Sequence, residues 1–136
     1  MKSISFFLQP KQDVVYLSED ATMRQAIEKI EHYGYTAVPT IDADGKYIRT
    51  LTEGDLLRKM KNTPELTFHD TASVRLKDVP VSRRIEAVCI DAKMEELLGL
   101  ALNQNFVPVV DDTGIFIGIV TRKAIIAYFI AEYLPA

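Results

Sequence analysis

The chain has 136 residues, 48% of them apolar and 26% charged, with a formal net charge of −3. That length supports one compact domain, or two half-domains that cannot stand alone. The acidic balance argues against binding to nucleic-acid polymers, which requires a basic footprint, while leaving room for a local basic pocket that takes a small anion. The single Cys89 excludes an internal disulfide, and its setting Ala87-Val88-Cys89-Ile90 reads as a strand with a buried, inert thiol. The apolar stretch from Ile4 to Leu8 is too short for the h-region of a signal peptide. The longest apolar run, Ala124 to Ala131, falls far short of the ~20 residues that span a bilayer. No membrane association is expected, and the expected location is cytoplasmic.

Taken in order, Ser3 to Leu8 is an apolar lead-in stopped by Pro10, and Val14 to Leu17 is β-rich and predicts a strand. Thr22 with Gln25 forms a capping-box pattern at the start of a helix. Met23, Ala26, Ile27 and Ile30 share one face of that helix, and Gly34 ends it. The strand Ala37–Ile41 follows, then a turn at Asp42–Gly45, an antiparallel strand Tyr47–Thr52, and a second helix from Glu53 to Met60. Residues 61–82 are polar and form a linker in which Val74 to Val79 predicts a short helical turn tucked against the core. The order then recurs. Ala87–Ile90 is a strand, and Asp91 caps a helix that places Met94, Leu97, Leu98, Ala101 and Leu102 on one face. Phe106–Val110 and Ile115–Val120 flank a turn, and Arg122–Leu134 is the last helix.

The recurrence is an internal repeat. Val38-Pro39 and Val107-Pro108 are separated by 69 residues, and the same spacing carries Asp42 onto Asp111, Gly45 onto Gly114, Ile48 onto Ile117 and Thr52 onto Thr121. A repeat fixes the architecture before any other feature. Two copies are too few for a solenoid, so the expectation is an α/β (α+β) fold of two pseudo-symmetric β-α-β-β-α halves closing on one core. Each half would have helices on one sheet face, with the other face available to its partner half.

The repeated hydrophobic-Pro strand, the Asp-Gly turn and the stretch Leu51-Thr52-Glu53-Gly54-Asp55 together resemble a CBS-domain pair, over nearly the whole chain. The boundaries on that reading are a first motif at 10–60, a linker at 61–82 and a second motif at 83–134, together forming one CBS-pair domain. Gly34 to Pro39 and Gly118 to Lys123 resemble, more narrowly, small stand-alone bacterial CBS-pair proteins, some of which bind cyclic di-AMP. The resemblance implies a regulatory protein that binds adenosine-containing ligands between its halves and catalyses nothing. It also implies a crossed construction, in which adenine meets the strands of one half while ribose and phosphate meet the Thr-x-x-Asp segment of the other.

Carried over by position, site one would use Val14 and Val15, then Tyr35, Thr36 and Ala37, then Thr121, Arg122 and Lys123. Site two would use Glu86 and Ala87, then Asn105, Phe106 and Val107, then Thr52 and Asp55. The residue types suit that chemistry. Apolar walls and strand backbone groups hold adenine, a carboxylate accepts both ribose hydroxyl protons, and a threonine at a helix N-terminus suits phosphate. Site two has the full Thr52-x-x-Asp55 pair and is similar to sites for AMP, ADP or ATP. Site one has Ala124 in place of the aspartate but carries Arg122 and Lys123, a bias toward phosphate that suits cyclic di-AMP. Asp13, beside the first strand, runs against that bias, and Lys11 compensates.

Plainer roles stand beside each of these. Thr52 and Asp55 can simply cap the following helix, and the two roles can coexist. Tyr35 packs at a helix–strand corner or stacks on adenine, and Arg122 and Lys123 can be a solvated helix start. The turn at Asp42–Gly45 lacks the remaining ligands of a calcium loop, and His32 and His69 have no partners at metal spacing, so they read as surface residues. Ser82-Arg83-Arg84 is a basic patch in the linker, most simply a solvated one.

Ala124 to Leu134 is apolar almost all round and requires burial on more than one side. Part should cover its own sheet and the rest a second subunit, so a homodimer is expected. No nucleophile with a neighbouring base, metal cluster or phosphate-binding glycine loop is evident, so neither an enzyme nor a cofactor is expected. The ligand would be regulatory and would act on an unidentified partner protein. The alternative is a structural dimerisation module whose ligand sites are vestigial.

Overall fold

A computed structural model describes residues 2–134 and divides them into two compact units. The first unit is Val15–Arg84. The second combines residues 2–14 with residues 85–134.

In the first unit, strand β2 (Leu17–Ser18) runs parallel to β3 (Ala37–Ile41), which pairs antiparallel with β4 (Tyr47–Thr52). Helix α2 (Met23–Tyr33) joins β2 to β3, and α3 (Glu53–Asn62) follows β4. The capping box expected at Thr22 is present: Gln25 donates its backbone N–H to the Thr22 hydroxyl, and its side chain accepts from the Thr22 N–H. Gly34 ends α2 in the left-handed region (φ 69°) that only glycine enters without strain. In the β3–β4 turn, one Asp42 carboxylate oxygen accepts from the backbone N–H groups of Asp44 and Lys46. The stretch expected to tuck against the core does so. Leu76–Asp78 form a 3₁₀ turn, and Leu76 and Val79 are fully buried among Met23, Ala26, Val38 and Leu51.

The second unit repeats the scheme. Strand β5 (Val88–Cys89) runs parallel to β6 (Phe106–Val110), which pairs antiparallel with β7 (Phe116–Thr121). Helix α4 (Met94–Ala101) precedes β6, and α5 (Arg122–Tyr133) follows β7. The core is built from Val88, Leu97, Val107, Val109, Val120 and Ile125. The β-α-β-β-α order expected of each half is therefore present in both.

Three local expectations are corrected. The first strands are shorter than the apolar runs that predict them: Val14 and Val15 lie outside β2, and Ala87 and Ile90 lie outside β5. Helix α4 begins after Lys93, with no side-chain cap, so Asp91 lies two residues too early to serve. Leu102 is not on the core face of α4. The helix ends at Ala101, and Leu102 is 80% exposed. The apolar lead-in, to which the sequence assigns no element, is structured. It forms a short helix α1 (Ile4–Phe7) and a strand β1 (Gln9–Pro10) that pairs antiparallel with β7 and completes a four-stranded sheet. Ile4 and Phe7 enter the core, and the Phe6 and Phe7 rings stand edge-on to Tyr128 of α5 at 5.5 and 5.2 Å. The second covered side of α5 is thus supplied by α1, in part.

Among the described residues no helix is long and apolar enough to cross a membrane.

Candidate functional site

The first unit gathers Tyr35, Thr36, Ala37, Thr52 and Asp55 around the β3–β4 end and the start of α3. Ala37 pairs with Thr52 across the ladder, and the Glu53 N–H donates to the Thr36 carbonyl at 2.9 Å. Thr52 caps α3. Its hydroxyl accepts from the Asp55 N–H at 3.2 Å, and the Asp55 carboxylate accepts from the Thr52 N–H at 2.9 Å. The capping role is therefore real.

Asp55 is only 2% exposed, and its second oxygen is also engaged. It accepts from the Ser82 N–H at 3.1 Å and from the Arg58 guanidinium. Burial works to raise the Asp55 carboxyl, but its hydrogen bonds with Thr52, Ser82 and Arg58 outweigh it, holding the group below the ordinary carboxylate range. Asp55 is thus a fixed anion. The Tyr35 ring stacks on Tyr33 at 5.6 Å with 10° between the planes, so it packs at the helix–strand corner while remaining nearly half exposed. Val15 packs at the edge of this unit's core.

The second unit gathers Glu86, Ala87, Asn105, Phe106, Val107, Thr121, Arg122 and Lys123 in the corresponding place, and Val14 belongs to the same unit. Phe106 pairs with Thr121, and the Arg122 N–H donates to the Asn105 carbonyl at 2.8 Å. Val107 has no exposed surface, and its side chain belongs to the core. Thr121 caps α5 by accepting from the Ala124 N–H at 3.0 Å, with no carboxylate to complete a box. The Arg122 guanidinium turns back on the end of α4, donating to the carbonyls of Ala101 at 2.7 Å and Leu102 at 3.4 Å. There it satisfies carbonyls left over at a helix C-terminus and balances its negative end. Lys123 is exposed.

Sequence reasoning missed three residues. Gln104 is buried and stands in for a strand. Its side-chain carbonyl accepts from the Glu86 N–H at 3.0 Å, and its amide donates to the carbonyls of Glu86 at 3.0 Å and Phe106 at 3.3 Å. It fixes the backbone leading to Ala87. Arg58 and Ser82 close on Asp55 as described, and Arg58 also donates to the Ser82 hydroxyl at 2.6 Å. Ser82 lies in a segment the composition marks as linker, so its only advance signal was its place in the basic patch. Among the described residues no group of histidine, cysteine and carboxylate side chains stands ready to hold a metal.

The family model described as "CBS domain" matches residues 4–62 and 76–131. An inosine-5'-monophosphate dehydrogenase of Methanocaldococcus jannaschii is 29% identical over 117 residues, covering 85% of this chain but only 21% of the dehydrogenase. The crystal structure of CbpB in complex with c-di-AMP superposes with a TM-score of 0.84 at 23% identity, over 96% of this chain and 85% of that one. That of CBSX2 in complex with AMP gives 0.76 at 22% identity, over 96% and 98%. Both repeats are matched and the fold is shared, and the chain accordingly belongs to the CBS-domain family, carrying a pair of CBS repeats.

Proposed function

We propose that this chain is a regulatory adenine-nucleotide sensor, binding AMP, ADP, ATP or cyclic di-AMP and modulating a partner protein without catalysis of its own. The observation that carries the reading is the Thr52–Asp55 pair. A carboxylate held ionised at a helix N-terminus, beside a threonine hydroxyl, can accept from ribose hydroxyls while the helix end favours a phosphate. The ligands named for CbpB and CBSX2 support the ligand class. Thr52 and Asp55, with Glu86, Ala87, Asn105 and Phe106, serve the mononucleotide, and the buried Val107 supports Phe106 from the core. Thr121, Arg122 and Lys123, with Val14, Val15, Tyr35, Thr36 and Ala37, serve cyclic di-AMP. The ligand acts on the partner through its difference in affinity between two states of the protein. The protein works in the cytoplasm as a homodimer, in which a second copy covers the apolar stripe Ile126, Ile130 and Tyr133 that α5 leaves exposed.

Thermal unfolding with each ligand tests the reading. Ligand at 100 times its dissociation constant should add about 2.7 kcal/mol of stability. Asp55→Ala should weaken mononucleotide binding and spare cyclic di-AMP, and Arg122→Ala should do the reverse, as read by isothermal titration on variants shown to fold. Equal losses of both ligands in both variants would refute the division of labour. No shift with any of the ligands favours the second reading, a dimerisation module with vestigial sites. What favours that reading is that the Asp55 carboxylate is already occupied by its own chain.

A further inference from the structure

That occupancy has a chemical consequence, which rests on the nucleotide reading above. An ionised carboxylate offers about four acceptor positions. Asp55 has given three of them to the Thr52 N–H, the Ser82 N–H and the Arg58 guanidinium. The two hydroxyls of a ribose need two, so one present donor has to leave. Thr52 and Ser82 donate from the backbone, one inside a capping box. Arg58 donates from a flexible stem, is nearly half exposed, and borders a pocket of about 300 Å³ that it lines with Lys59 and Ser82. Arg58 is the donor able to move.

A guanidinium drawn off a buried carboxylate loses a charge-assisted hydrogen bond, and a neutral ligand gives nothing back. A ligand phosphate does, since its oxygens match the guanidinium fork. We propose that Arg58 is a specificity-determining residue: it guards Asp55 against unphosphorylated nucleosides and yields only to a ligand whose phosphate takes the guanidinium in exchange. Recognition of ribose and recognition of phosphate are thereby coupled through one side chain.

Isothermal titration of the full chain with AMP and with adenosine tests this in the wild type, Arg58→Ala and Arg58→Lys, each checked by circular dichroism melting. The wild type should favour AMP by about tenfold or more, the worth of one charge-assisted hydrogen bond. In Arg58→Ala, AMP should weaken and adenosine should tighten, so that the preference falls to within about threefold. Arg58→Lys, which keeps the charge, should keep AMP ahead. A preference that survives Arg58→Ala overturns the inference, as does parallel loss of both ligands or a wild type that binds adenosine as well as AMP. If the wild type binds neither AMP nor cyclic di-AMP, the nucleotide reading itself falls and takes this inference with it.

Discussion

Asp55 shows how much one side chain can be asked to do. Its carboxylate completes a capping box, receives the linker at Ser82 and holds Arg58. Because its folded pKa is depressed, its contribution to stability is fully present above the unfolded value near 3.9 and is lost as pH falls through the folded pKa. Urea midpoints measured from pH 7 down to pH 3 should therefore drop for the wild type on the acid side. In Asp55→Asn, which is weaker at neutral pH, that part of the drop should be missing. Tyr47 sets a limit at the other end. Burial pushes its hydroxyl up to about 12, against the smaller opposing effects of its hydrogen bond with Thr50 and of Arg84. Its folded pKa is raised, so its contribution holds below the unfolded value near 10 and disappears as pH climbs through the folded one. Tyr47→Phe should flatten the alkaline limb of the same curve.

Between elements, the side chains that matter most were the hardest to read in advance. Arg49 sits on β4, and its spacing marks it only as the counterpart of Gly118. In the fold it pairs with Glu19 at 3.1 Å and donates to the carbonyls of Leu76 and Val79, pinning the linker's 3₁₀ turn to the sheet. Arg49→Met would leave those carbonyls unmet and should cost about 2–3 kcal/mol in urea unfolding. Gly118 does the opposite work by presenting nothing. A Cβ there would lie 2.2 Å from the Gln9 carbonyl oxygen and 2.8 Å from a Leu8 methyl, on a backbone with φ of 155°. Gly118→Ala should displace β1 or cost about 2 kcal/mol, with faster amide exchange concentrated at Gln9 and Ile119. The Val-Pro strands, the Thr22 capping box and the Gly34 terminator were legible because local chemistry decides them. Arg49 and Gln104 act on partners that the chain brings near only after folding, and no periodicity records such a contact; Arg58 stands at the helical i,i+3 spacing from Asp55, but its contact with Ser82 also comes only with folding. The first strands were over-read for a related reason: an apolar run marks where burial is available, while ladder hydrogen bonds decide where the strand stops.

At the scale of the molecule, duplication carried most of the argument, and the two copies have diverged at their edges. The second unit accepts β1 on its sheet, while the first anchors the linker through Arg49. The apolar character of α5 demands two covered sides. One of them is met in part by α1, leaving Ile126, Ile130, Tyr133 and Leu134 at the surface. On the proposed homodimer, Ile130→Glu should shift the protein from dimer to monomer in light scattering without lowering its helix content. A dimer that persists would place the contact elsewhere.

The pairing of β1 with β7 also bears on how the protein is made. Gln9 leaves the ribosome about 110 residues ahead of Ile119, its partner, and contacts that distant in sequence form late. Throughout that interval the growing chain is producing the first unit, whose strands pair only with one another. The early segment must wait, apolar and uncommitted, until β7 has been made. Nascent chains stalled before Ile119 should consequently recruit chaperones at Ile4 to Leu8, and release should follow synthesis of the seventh strand.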